Sequence, residues 1–515
     1  MPNFSPYADF GYLALKKEST AGTPVIPDTF IGILAESVVP NFNIIPVQQI
    51  AGERERNVRS VPGQIEIAGD VEFYVEPKEI GHFLRALFGA PTTQTLVAAT
   101  SYRHTFEVSS SPLTYTIEIQ PADAPWVHRF YGVQISKISF SQQNNIIKCT
   151  ASLMPRKAFV NARVTADVAA GTTLALDQTA GLVAGDSILI VQKENGYTTV
   201  QDRIIASVTN DTALEVTVAF NAQVDTDDIV LIKRQTTSYD QDLEFAFLGG
   251  TEIATGDDVD NVTAEDFENF NVDFMNETEQ RWFGGKEESA RFPGDVLTKG
   301  YVVEGNISKF YDSESKLDKA RKNDKLGLRF LFQGETAISA NALVKASSIW
   351  GATANGFKVE ASTGGKAGND INVTLVIAAD DNLAASISGN NILVELANTT
   401  ATKNTGTLIA AAVNALAGVD GTAEGTGAEQ FTAAEANANL GFKSSGTNVV
   451  GRDASEKPYL QIDLADVRLN AFFPNASEDD ILQQEMPFTG YKDSIGSQKK
   501  DWSTRLFLVN DVSAY

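Results

Sequence analysis

The chain has 515 residues, 41 of them basic and 66 acidic, for a net charge of −25. At about 150 residues per domain that length suggests three or four domains, and 43% hydrophobic residues suffice for packed cores. One cysteine, Cys149, excludes a disulfide framework or a Cys-cluster zinc site, and a pI near 4.6 argues against wrapping nucleic acid, which needs Lys/Arg stripes.

Residues 1–10 combine no basic segment with an apolar one, so they read as no signal peptide. No run of about 18 apolar residues exists to cross a membrane as a helix. The expectation is a soluble, acidic, multi-domain protein made inside the cell.

In chain order, the first clear element is a helix over Pro77–Phe88. Pro77 suits a first helical position, and Ile80, Phe83, Leu84, Leu87 and Phe88 fall on one face. Gly89 and Pro91 stop it. Leu113–Ile119 alternates as a half-buried strand with Leu113, Tyr115, Ile117 and Ile119 inward. Val133–Phe140 reads as a strand with a register break near Lys137. An Ala-rich helix is expected over Thr405–Leu416, and Leu460–Leu469 alternates again. Strand signals dominate, so the fold class is mainly β.

A faint duplication organises these elements. Asn41-Phe42-Asn43-Ile44 recurs as Asn269-Phe270-Asn271-Val272, and each leads to a Pro-Gly pair, Pro62-Gly63 and Pro293-Gly294. Gly69–Val75 then matches Gly305–Tyr311, the helix matches Ser313–Arg321, and Leu113–Gln120 matches Leu326–Gln333. Val133–Phe140 with Ile146-Ile147 matches Ile462–Leu469 with Ile481-Leu482. The order of the segments carries the argument; chance echoes between β-rich stretches are the competing explanation.

Two stretches have no counterpart. Residues 161–236 read as a small β module, with strands in Gly171–Ile190, Ile204–Val208, Ala213–Val218 and Ile229–Ile232. Residues 336–456, rich in Ala, Gly, Asn and Thr, read as an α+β module with strands at Asp370–Ile377, Ala385–Ile387 and Asn391–Leu396. The expected domains are therefore 1–160 and 237–335 with 457–515 as two cores, and 161–236 and 336–456 as insertions, which loop tips tolerate.

No nucleotide-binding loop, HExxH, GxSxG or CxxC occurs. Gly421–Gly427 resembles a phosphate loop, but it has no Lys, follows no clear strand and sits in a low-complexity stretch, Gly418–Gly427, read as a flexible loop. The acidic runs Gly256–Asp266 and Asp225–Asp228 lack calcium-loop spacing and read as solvated linkers. Sequons such as Asn261, Asn372 and Asn475 read as chance. His82 beside the helix stripe reads as structural, His104 and His128 flank strands without a nucleophile, and Cys149 reads as a strand residue. Trp282 and Trp502 read as packing or interface anchors. No catalytic, cofactor-binding or metal residues are expected, and no cofactor.

Gly11–Thr23, Phe30–Glu36, Val61–Phe73 and Pro77–Gly89 together resemble the tail tube (major tail) proteins of long, non-contractile-tailed bacteriophages. The similarity covers mostly residues 10–160, with a looser second half. Both inserts look like the small modules that decorate phage tail proteins.

The resemblance implies two tandem β-sandwich or half-barrel cores, each with a flanking helix and a long hairpin loop. It implies rings, typically six-fold with one core per chain, stacked into a tube that passes DNA without binding it. With two cores per chain, the ring is expected to be a homotrimer with pseudo-six-fold order and an acidic bore. Implied partners are tape-measure, tail terminator and tail tip proteins, with no membrane. The site is the virion tail, after synthesis in the host bacterial cytoplasm. Gln48–Ser60 and Asn276–Arg291 are the expected bridging loops.

Three other classes compete. A multi-module β adhesin would carry a signal peptide. Another virion part, such as a tail terminator, capsid or contractile-tail component, would share the composition. An enzyme would need a nucleophile, base and stabilising group together.

Overall fold

The computed structural model describes residues 11–515 except 49–56, 98–100, 110–112, 122, 194–195, 197–199, 240–243, 284–290, 311–314, 336–337, 341–343, 352–354, 441–447, 450–454, 471–482, 494–499 and 501. The fold is mainly β with few helices. The pairs Ile481-Leu482 and the helix start at Ser313 lie outside the described residues.

The first part of the chain supplies β1 (Leu13–Lys17), β2 (Val39–Gln48), β3 (Asn57–Tyr74), α1 (Ile80–Phe88), β4 (Thr92–Val97), β5 (Ser101–Glu107), β6 (Tyr115–Ile119), β7 (Trp126–Gln143), β8 (Ile146–Met154) and β9 (Lys157–Phe159). The antiparallel order is β1–β6–β7–β9, and β7 also carries β8, which in turn carries β3. Ser152 faces Lys137 and Leu153 faces Ile135, so Ser136 is an extra residue in β7. That bulge is the break expected near Lys137, and it re-aims the strand.

Helix α1 starts at Ile80 rather than Pro77, because Pro77–Glu79 form a turn. Its apolar stripe is fully used. The Phe83 ring lies 4.5 Å from Phe73 on β3, and Leu84 has no exposed surface. Gly89, at φ 100°, closes the helix in a conformation that favours glycine.

β6 departs from the half-buried reading. All five of its residues are buried, Thr116 and Glu118 included. The polar face is covered too, because each side chain has a partner. Thr116 donates to Glu18 at 3.0 Å, and Glu118 receives Arg129.

The later chain supplies β10 (Thr251–Asp258), β11 (Asn261–Glu265), β12 (Asn269–Arg281), β13 (Asp295–Phe310), α2 (Ser315–Lys322), β14 (Leu326–Gln333), α3 (Gly406–Asn414), β15 (Tyr459–Leu469), β16 (Gln483–Tyr491) and β17 (Thr504–Asn510). The antiparallel order is β10–β14–β15–β17, and β15 carries β16. One irregularity is shared with the earlier strands. β6 meets β7 as Tyr115↔Val133, then Ile117↔Phe130; β14 meets β15 as Leu326↔Val467, then Leu328↔Leu464. In both ladders two steps on the shorter strand oppose three on the longer.

The chain divides into two compact units. One is Met1–Ala90, Val108–Glu244 and Asn271–Glu304; the other is Pro91–Glu107, Phe245–Phe270 and Gly305–Tyr515. In the first, β12 extends the sheet by pairing with β7, from Asn271↔Ser141 to Met275↔Lys137. In the second, β5 extends the sheet by pairing with β17, from Arg505↔Glu107 to Asn510↔Tyr102. Each unit thus contains a ladder between strands far apart in sequence.

Within the first unit, residues 161–236 form strands at Thr173–Ala175, Ser187–Val191, Val200–Asn210, Ala213–Val216 and Ile229–Lys233. They share one core with Tyr12, Ala14, Phe30, Val127 and Phe159. The last strand also pairs with β7 through Ile232↔Val127.

Within the second unit, residues 336–456 pack a core whose buried members all lie between Ala346 and Leu440. The strands Asn372–Ile377, Ala384–Ser388 and Asn391–Leu396 fall where expected, and the first and last of these run parallel. α3 is capped by Thr405, whose hydroxyl accepts from the Leu408 amide. The reading of Gly418–Gly427 as a flexible loop is corrected. Val419–Ala423 is a strand paired with Phe357–Ala361, and Gly421 lies so close under α3 that a Cβ would sit 2.2 Å from the Ala410 carbonyl.

The linker reading of Gly256–Asp266 is also corrected. β10 and β11 form a hairpin there, and its turn residue Asp260 is buried against Lys500. Asp228 of the other acidic run is buried, accepting from the Lys193 amide at 2.6 Å.

Candidate assembly surface

β2 and β3 form a long two-stranded arm. β2 is short of partners: among the described residues it pairs with β3 alone. Its residues 41–46 are exposed on both faces, and large apolar side chains stand out along the arm. Val39 is 62% exposed, Phe42 53%, Ile44 65%, Ile45 50% and Val61 47%. An isolated two-stranded ribbon is marginal in water, and exposed apolar side chains gathered along one make it a candidate interface. The Pro62-Gly63 pair lies inside β3, where Pro62 faces Ile44, so it is no turn. Pro suits an edge ribbon, because it removes one ladder donor.

The bridging-loop reading changes accordingly. Asn57–Ser60 belong to β3, and Asn276–Arg281 continue β12; residues 49–56 and 284–290 lie outside the described residues. β12 is held in the first unit by more than its ladder. Ser139 donates to Asp273 at 2.5 Å, and Lys137 pairs with Asp273 at 2.8 Å. Asn276 donates to the Leu87 carbonyl at 3.0 Å, and Gln280 to the Ile67 carbonyl at 2.8 Å. The Phe274 ring lies 5.7 Å from Phe88 of α1. A hairpin strand of this chain therefore docks on a sheet edge through amide ladder, ion pair and aromatic contact together.

The residues singled out by chemistry are not brought together. His82 is half-buried on α1; burial, then the Arg85 charge, push it down to about 4. His104 is buried on β5, with its ring nitrogens 2.9 Å from the Thr93 hydroxyl and the Val512 carbonyl. His128 is half-buried on β7 and lowered by burial. Cys149 is fully buried on β8 between Phe73 and Phe140 in the ladders, and burial raises its thiol well above the usual range. Trp282 donates to the Ile65 carbonyl at 3.3 Å, and Arg505 lies 4.6 Å over the Trp502 ring. Gly421–Gly427 forms strand and turn. Among the described residues, no group of three or more His, Cys, Asp or Glu could hold a metal ion.

Sequence reasoning missed a buried ionic cluster in the first unit. Arg129 on β7 contacts Glu118 at 2.5 Å and Asp186 at 2.6 Å, all almost fully buried. It also donates to the Gly181 carbonyl at 2.8 Å, while Gln235 donates to Glu118 at 2.9 Å. Burial opposes the guanidinium charge, but the Asp186 hydrogen bonds and the Glu118 charge outweigh it and raise the group above its ordinary value. The available signal was one charged side chain in each of two strands rich in apolar and aromatic residues, Glu118 in Tyr115–Ile119 and Arg129 in Trp126–Tyr131.

Residues 11–255, just under half of the chain, match the model of the phage tail tube protein family. The match supports a structural role of the phage tail tube kind. No curated protein sequence matches the chain.

Proposed function

We propose that three copies of this chain close a ring with pseudo-six-fold order, and that rings stack into a tail tube whose acidic bore passes DNA. The observation that carries this reading is the shared bulge in β6–β7 and β14–β15. Around it the strand orders agree as well, β1–β6–β7–β9 against β10–β14–β15–β17. A bulge at the same step of the same four-strand order supports two copies of one tube-type domain. Aligned on it, Tyr115 corresponds to Leu326 and Val133 to Val467, two and five residues away from the segment pairing read in the sequence.

The same correspondence supports the mode of closure. β12 occupies a sheet edge in the first unit, and its sequence counterpart β2 is the strand with the open edge. A second copy would meet β2 as this chain meets β12. Closing all such edges in a ring removes the aggregation hazard of an exposed apolar strand.

A net charge of −25 per chain suits a bore that must not hold the DNA it conducts. Repulsion would act over a Debye length of about 8 Å, without Lys/Arg contacts to arrest sliding. The two modules fit as decorations outside the tube. Tape-measure, terminator and tip proteins are the partners that such a tube requires.

Cryo-microscopy of assembled tubes tests the reading. Three chains per ring with two similar densities each are expected. Six chains per ring, or a lumen lined mainly by Lys and Arg, would overturn it.

A further inference from the structure

We propose that residues 336–456 form a separately cooperative domain, latched to the rest of the second unit by a polar clamp and able to undock while folded.

The first ground is where its apolar core ends. The buried cluster includes Trp350, Phe357, Leu375, Ile392, Val413 and Phe431, and among the described residues none of its buried members lies outside residues 346–440. The module at 161–236 is the contrast, since its core is continuous with Tyr12, Phe30 and Val127 of the surrounding sheets. Apolar continuity makes two segments unfold together; here, among the described residues, the apolar link is that of partly buried Ile338, at the module's edge, with Leu96, Tyr459 and Val509, and so slight a link leaves each segment with its own stability.

The second ground is the chemistry of the joint. Arg329 on β14 donates to Asp463 on β15 at 2.7 Å and 3.2 Å, and with its remaining nitrogen reaches Asp370 of the module at 3.4 Å. Asp370 closes the 3₁₀ turn Lys366–Asp370, immediately before the strand Asn372–Ile377. A second contact lies at the hairpin between Ala384–Ser388 and Asn391–Leu396. There Asn390 donates to the Asp260 carbonyl at 3.1 Å, and Gly389 (φ 57°) packs against the Asn261 side chain, where a Cβ would come within 2.7 Å. Asp260 is itself fixed by Lys500.

The first contact is an ion pair with Arg329, and the second is a hydrogen bond to a backbone carbonyl with close packing on the polar Asn261 side chain. Water can replace each of them when they part, whereas exposed apolar surface would oppose separation. The Arg329–Asp463 pair remains satisfied in either state, so undocking leaves Arg329 with a counter-charge.

The test uses the full chain, kept below the concentration at which it assembles. Asp370→Asn removes the charged arm of the clamp, and Gly389→Val blocks the close approach at Asn261. For each, small-angle scattering should show a larger maximum dimension than wild type. The undocked fraction should rise about ten-fold, the size of one charge-assisted hydrogen bond. Hydrogen exchange at Asn372–Ile377 should stay as slow as in wild type, because the module remains folded. Wild-type chain in urea should lose the module's protection and the β14–β15 protection at separate midpoints. Scattering curves from both variants that superimpose on wild type would overturn the proposal. So would a single urea midpoint for the module and β14–β15. Neither outcome depends on ring symmetry, so the inference and the ring reading fail separately.

Discussion

Arg129 on a core strand and Asp186 in the 161–236 module are joined by two parallel contacts, Nη1 to Oδ2 at 2.7 Å and Nη2 to Oδ1 at 2.6 Å. The fork geometry suits a carboxylate, and Glu118 holds the guanidinium from its other side. The module is thereby fixed to the core through a buried charge, as well as through shared apolar packing.

Removing that cation should be costly. Arg129→Met leaves Glu118 and Asp186 buried without a counter-charge, and about 3–5 kcal/mol of stability should be lost. Urea denaturation followed by fluorescence checks this. Adding Glu118→Gln and Asp186→Asn should restore most of the loss. A triple variant as weak as the single would mean that Arg129 acts through packing instead.

The two modules should respond differently to deletion. Removing 161–236 uncovers Tyr12, Phe30 and Val127 and strips Arg129 of Asp186, leaving it with Glu118, so that variant should fail to yield folded protein. Removing 336–456 and joining Gln333 to Pro458 by a short Gly-Ser linker should leave rings or tubes visible in negative stain. A folded but strictly monomeric product would place the second module in the interface.

Helix α1 offers a local test of the first unit. Leu84 has no exposed surface, and the stripe around it packs on Phe73, Phe274 and Tyr301 through Phe83 and Phe88. Leu84→Asp buries an unpaired carboxylate and should cost several kcal/mol, on the order of 3–5. Unchanged urea stability would count against this packing.

What the sequence disclosed depended on how local the cause was. The bulge beside Lys137 was readable because Ile135 and Ile138 cannot share a face without an extra residue. The α1 stripe was readable from its spacing alone. Asp260 was not, because its cation Lys500 stands 240 positions away. Glu118 looked solvent-facing until Arg129 and Asp186 covered it. Gly421 looked like low complexity, yet its lack of a side chain is what lets α3 lie over the strand. The division into units was least legible, since β5 and β12 each join a ladder with a strand distant in sequence.

Acid should weaken the fold through His82. Its folded-state pKa of about 4 lies below the ordinary 6.5, because burial disfavours the charged ring and Arg85 repels it. The unfolded chain therefore binds more protons between these values. The stability that neutral His82 preserves is complete above pH about 6.5 and declines as pH falls toward 4. The loss is at most about 3 kcal/mol. Urea midpoints at pH 7 and pH 5 should differ less in His82→Gln than in wild type. An equal difference would assign the acid sensitivity elsewhere, with buried His104 the next group to test.

The arm separates assembly from folding. Phe42 and Ile44 are more than half exposed, so replacing them should barely alter the monomer, within about 0.5 kcal/mol. In a ring the same side chains would be covered, and a charge there would be desolvated without a partner. Ile44→Lys, alone or with Phe42→Ser, should therefore leave the urea midpoint unchanged while abolishing tubes in negative stain and large species in sedimentation. The double variant should also bind less of a hydrophobic dye as monomer, because the exposed patch has shrunk. Tubes formed at wild-type yield by Ile44→Lys would show that the arm stays outside the interface. A fall in monomer stability would instead show that the arm folds back onto its own chain, and that β2 is no free edge.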